Sequence, residues 1–122
     1  MTLCRCCLRY TLWLCFLGLA SSGAHASPYE PLDCSKGLTT AGKTICGNYT
    51  LGQVEARQAT LFAALTALVA MGQRADLIES QRRWIETREA CRQDVKCLST
   101  AYKMRIEDLT KMLDALAQRG PF

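Results

Sequence analysis

The chain has 122 residues, 49% hydrophobic and 21% charged, with 15 basic and 11 acidic side chains and a net charge of +4. That balance is too weakly basic for binding nucleic acid by phosphate attraction. Eight cysteines against a single histidine turn attention to disulfides and away from histidine-based catalysis.

Residues 1–26 read as an export signal in three zones. Met1 to Tyr10 carries Arg5 and Arg9 and no acid. Thr11 to Ala20 is an apolar run containing Leu12, Trp13, Leu14, Cys15, Phe16, Leu17 and Leu19. Ser21 to Ala26 is small and polar and ends in Ala24-His25-Ala26, the small-x-small pattern of a cleavage site, so cleavage is expected between Ala26 and Ser27. The apolar run is too short to span a bilayer, which takes ~20 residues. A lipid anchor would need a cysteine after small residues, but Leu14 precedes Cys15 and Asp33 precedes Cys34. The expected product is periplasmic or secreted, with no membrane anchor after cleavage. Its net charge falls to +2, because the leader takes two arginines and no acid. His25 leaves with the leader, as do Cys4, Cys6, Cys7 and Cys15.

The remaining domain, 27–122, is small, and a chain of this length buries only about 60–65% of its unfolded surface. Four cysteines in an oxidising compartment then read as two disulfides. The local pairs Cys34–Cys46 and Cys91–Cys97 are expected, because each flanks a short turn-like segment; a crossed pairing is the alternative. Zinc is not expected, since no C-x2-C knuckle and no histidine remain.

Ser27 to Asp33, with Pro28 and Pro31, reads as an extended lead-in. Cys34 to Cys46 reads as a compact loop with one helical turn over Thr40 to Cys46. A first long helix is predicted over Leu51 to Met71, with Leu51, Val54, Gln58, Leu61, Phe62, Leu65, Leu68 and Val69 on one stripe. Thr50 and Gln53 form a capping-box pair at its start, and Gly72 its stop. A second helix is predicted from near Asp76, capped by Asp76 and Glu79. Its inner face is Leu77, Gln81, Trp84, Ile85 and Arg88, and it ends near Cys91. A third starts between Asp94 and Cys97, buries Leu98, Tyr102, Ile106, Leu109, Leu113 and Leu116, and stops at Gly120-Pro121. No segment alternates with period two. The fold class is therefore all-α, a small three-helix bundle or helical hairpin with two disulfides. Glu79 with Arg83 and Glu107 with Lys111 are expected as exposed charge pairs at helical spacing.

Catalytic chemistry is not expected. Without histidine, the Ser-His-Asp and Cys-His arrangements are excluded, and oxidised cysteines are not nucleophiles. Carboxylates such as Glu55, Glu86 and Glu89 exist, but a glycosidase needs two across a cleft. No cofactor is implied. Nucleic acid is not an expected partner: Arg82 and Arg83 are adjacent, but Glu79 and Glu86 offset them.

The order of certain residues resembles a bacterial family, the lysozyme inhibitor LprI-like N-terminal domain. The resemblance runs from Asp33-Cys34 to about Leu109. It is carried by Asp33-Cys34 and Ile45-Cys46, by Leu51, Val54 and Glu55 with Phe62, by Gln81, Arg83, Trp84, Arg88 and Cys91, and by Cys97-Leu98, Tyr102, Arg105-Ile106 and Leu109. Gly42 departs from the pattern, standing where the family usually has an acid; Glu55 replaces a more usual Asp and Phe62 a more usual Tyr. The resemblance implies a helical domain that blocks a lysozyme, a protein partner bound without catalysis. A general envelope-interaction module with another target is the alternative. Animal lysozymes are mostly basic, so an inhibitor should present acid, and Glu30, Asp33 and the Glu86-Glu89 face are the candidates.

The motif residues also carry a physical expectation. Trp84 and Arg88 lie one turn apart, so the guanidinium can lie along the indole. Glu55 faces inward and can pair with Arg88 or Arg105. Gln81, Trp84, Arg88, Tyr102 and Arg105 then form a half-buried polar lock between helices. The competing reading makes Trp84, Arg88 and Tyr102 a recognition patch.

Overall fold

A computed structural model describes residues 31–120. The export signal and its cleavage site lie outside the described residues, as does Glu30. The described chain is all-helical, with α1 over Thr40–Gly47, α2 over Tyr49–Leu68, α3 over Met71–Ala90 and α4 over Val95–Ala117. The three predicted long helices are present. Where a single turn was expected before them, α1 has eight residues.

Helix starts differ from the sequence reading for local reasons. The N-cap of α2 is Asn48, whose side chain accepts the Leu51 N–H at 3.1 Å. That places Thr50 inside the helix, where it cannot cap. α2 ends at Leu68, and Val69 and Ala70 are both extended. Val69 is buried and anchors this short link, so α3 starts at Met71, before Asp76. Gly72 is therefore in the first turn of α3 rather than a stop. α4 is capped by Asp94, which accepts the N–H groups of Lys96 and Cys97 at 2.9 and 3.0 Å.

The predicted apolar stripes form two clusters at opposite ends of the bundle. One gathers Ala41, Ile45, Leu51, Trp84, Cys91, Leu98 and Tyr102. The other gathers Phe62, Leu65, Val69, Leu77, Leu109 and Leu116. Leu68, expected on the buried stripe of α2, is instead exposed. α3 runs antiparallel to α2 and α4. α2 and α4 run in the same direction: Glu55 meets Tyr102 near their starts, and Phe62 and Leu109 share a cluster further along. The α2–α4 contact is the broadest in the fold, broader than that of the sequential pair α2 and α3.

Both disulfides have the local pairing. Cys34 and Cys46 tie the lead-in to the end of α1, and Cys91 and Cys97 tie the end of α3 to the start of α4. Ile45 and Cys91 belong to the same apolar cluster, so both bridges fasten the same end of the molecule. No helix among the described residues is long and apolar enough to cross a membrane.

Candidate functional site

Glu55, Gln81, Trp84, Arg88, Tyr102 and Arg105 all lie in the interior. Tyr102 is 0% exposed, Gln81 2%, Glu55 4%, Arg88 4%, Arg105 7% and Trp84 9%. Trp84, Arg88 and Tyr102 therefore offer almost no surface for recognition in this fold, and the lock expected to be half-buried is buried throughout. Helical spacing could not separate the two readings, because a seam and a surface patch favour the same residue types.

These side chains divide into two locks. The first is centred on Glu55 of α2. The Tyr102 hydroxyl of α4 donates to Glu55 Oε2 at 2.5 Å. The Arg88 guanidinium of α3 lies 3.5 Å from the same oxygen. The Leu32 N–H of the lead-in donates to Glu55 Oε1 at 3.1 Å. One carboxylate thus joins three helices and the lead-in. Arg88 also donates to Glu89 Oε1 at 2.7 Å and lies 5.5 Å from the centroid of the Trp84 ring. Trp84 meets Tyr102 edge-on at 5.3 Å and donates its indole N–H to the Ala101 carbonyl at 3.1 Å. A buried ion pair is stable only when its remaining hydrogen-bonding capacity is filled, and these contacts fill it.

The second lock lies one turn further along and involves no carboxylate. Gln81 Oε1 accepts from Arg105 Nε at 3.0 Å, from Arg105 Nη2 at 2.8 Å and from Gln58 Nε2 at 3.0 Å. Arg105 Nη2 also donates to Ser80 Oγ at 3.1 Å. Glu55 therefore takes Arg88, and Arg105 takes Gln81. Burial lowers the Arg105 pKa from its ordinary value, opposed in part by the Asp108 carboxylate. Gln58 Oε1 and Gln81 Nε2 have no protein partner among the described residues. Sequence reasoning put Gln58 on the stripe of α2 but missed its role. The available signal was a polar side chain at a position whose neighbours on that stripe are apolar.

Gly42 also has a structural account. It is buried, and its N–H donates to the Thr39 hydroxyl that caps α1. A Cβ here would stand 3.2 Å from that hydroxyl and 3.3 Å from the Leu38 side chain. A larger side chain at this position would require the Thr39 cap and the Leu38 side chain to yield by a few tenths of an ångström.

The surface carries less organised polarity. Asp33 is occupied by its own turn, accepting from the Ser35 hydroxyl and N–H at 2.6 and 3.0 Å, with Lys36 at 3.2 Å. Glu79 pairs with both Arg83 and Arg82, at 3.2 and 3.6 Å. The expected Glu107–Lys111 pair does not form. Both residues instead line a groove of about 520 Å³ between α2 and α4, with Leu51, Val54 and Ile106 among its apolar walls. Among the described residues no group of three or more His, Cys, Asp or Glu side chains is placed to hold a metal ion.

No protein-family model matches this chain, and neither a curated protein nor a solved structure does.

Proposed function

We propose that this chain is an exported lysozyme-inhibitor-like protein, acting in the periplasm or outside the cell by binding a protein partner and not by catalysis. The observation that carries this reading is the construction of one end of the bundle. Two disulfides, the Glu55–Arg88 pair and the Trp84–Tyr102 contact all fasten it. Binding proteins gain affinity when little is left to order on association, and a small domain so fastened is pre-organised. Disulfides belong to oxidising compartments, which supports export. The lysozyme target itself comes from the resemblance of the motif blocks.

The second reading is an envelope-interaction module whose target is not lysozyme. Charge favours it. Of the acids named above as candidates to meet a basic enzyme, Glu30 lies outside the described residues, Asp33 is tied to Ser35 and Lys36, and Glu89 is tied to Arg88, so only Glu86 of that set is exposed and unpaired among the described residues. The purified secreted form should be assayed against c-type, g-type and phage lysozymes. Dose-dependent inhibition at sub-micromolar concentration is expected. No inhibition of any class would overturn the lysozyme reading, and capture of a different partner from periplasmic extract would then support the second.

A further inference from the structure

The groove between α2 and α4 combines an apolar wall with an excess of cations. Leu51 and Ile106 are buried and Val54 half-buried. Arg57, Lys103 and Lys111 line the groove against one acid, Glu107. None of the three cations is in an ion pair among the described residues.

We propose that this groove binds a single-chain anionic amphiphile of the long-chain carboxylate class. The acyl chain lies on Leu51, Val54 and Ile106, and the headgroup is taken by Arg57, Lys103 and Lys111. Size and charge both fit this occupant. The groove volume is about 520 Å³, within the range of roughly 300–1,000 Å³ typical of small-ligand sites. From Ser99 to Lys111 the α4 wall advances roughly 18 Å. A slim chain fits both dimensions. Lysine and arginine also suit the task, because their methylene stems line apolar surface while their heads reach an anion. The charge complementarity is to an anion, so this site is independent of any basic protein partner.

The test is an NMR titration of the isotope-labelled secreted form with dodecanoate. Acetate supplies the headgroup without the chain, and dodecyl maltoside the chain without the charge. Saturable shifts at Leu51, Val54 and Ile106 are expected with dodecanoate at sub-millimolar concentration. Acetate should give none there, and the maltoside should bind about tenfold more weakly or worse. The double variant Arg57→Glu/Lys103→Glu should lose dodecanoate affinity by about tenfold or more. Both positions are exposed, and an unchanged helical circular dichroism spectrum would verify the fold. Shifts centred instead on exposed Leu68 and Met71, equal binding of the maltoside, or undiminished binding by the double variant would each overturn the assignment.

Discussion

Glu55 has more depending on it than any other side chain in the interior. Its carboxylate accepts from Tyr102 and from the Leu32 N–H, and it balances the buried Arg88 charge. Removing one member of a buried pair leaves the other desolvated and uncompensated, which costs about 3–5 kcal/mol. Glu89 still holds Arg88 from its partly exposed side, so Glu55→Ala should fall near the lower end, about 3 kcal/mol by urea unfolding. The double variant Glu55→Leu/Arg88→Met should lose at least about 2 kcal/mol less than the sum of its single changes, because no orphaned charge remains. Gln58→Leu makes the contrast. Gln58 contributes one hydrogen bond while its own carbonyl oxygen lacks a protein partner, and that change should stay within about 1 kcal/mol of the parent. Asp33 is a case of a different kind. The Ser35 hydroxyl, then the Ser35 N–H, then Lys36 hold its pKa at about 2 against an ordinary 3.8. The ionised form is the one its turn favours, so that contribution is present above pH 3.8 and is lost as pH falls toward 2. The Asp33 carboxyl carbon should titrate near pH 2 by NMR, and Ser35→Ala should bring the midpoint back toward 3.8.

Helix ends are governed by single hydrogen bonds, and there prediction and structure can be set against each other by mutation. Asn48→Ala removes the side chain that accepts the Leu51 N–H and should destabilise the domain by about 1 kcal/mol. Gln53→Ala, at the position the capping-box pattern singled out, should change stability by no more than about 0.5 kcal/mol. Thermal melts of the two variants would distinguish them, and a larger loss at Gln53 would contradict the Asn48 cap. The same contrast explains what was readable in the sequence. Apolar periodicity located α2, α3 and α4 and nearly all of their buried faces, because burial repeats along a helix and each repeat reinforces the signal. Helix starts were less readable because Asn48 and Thr50 are both good caps, and the choice falls to the few residues between α1 and α2. The site was readable in membership and not in wiring. Glu55 had two arginines within plausible reach, and the register of α3 against α2 and α4, which no local pattern encodes, assigned Arg88 to it and Arg105 to Gln81.

At the scale of the whole molecule the two ends differ in how they are fastened. Both disulfides and the Glu55 lock sit at the end where α1 packs, while the cluster around Phe62 and Leu109 is held by apolar contact. Loops of these lengths give about 2–3 kcal/mol per bridge by restricting the unfolded chain. Against a total stability of roughly 5–15 kcal/mol for a small domain, losing both bridges removes a third or more. Cys34→Ser/Cys46→Ser should lower stability by about 3 kcal/mol and Cys91→Ser/Cys97→Ser by a little less, and the four-fold variant should lose about 5 kcal/mol by urea unfolding. The loss should not be uniform. α1 reaches the core chiefly through Ala41 and Ile45, so without the Cys34–Cys46 bridge its amides should exchange fastest. The α2 and α4 amides around Phe62 and Leu109 should keep their protection. Hydrogen exchange read by mass spectrometry checks this, and equal loss of protection at the two ends would show that the bridges stabilise the fold as a unit. The two binding proposals also separate under this treatment. The α2–α4 groove needs only those two helices, so dodecanoate binding should survive opening of the Cys34–Cys46 bridge. An inhibitory surface built on the stapled end should lose its pre-organisation, and its affinity, with that bond.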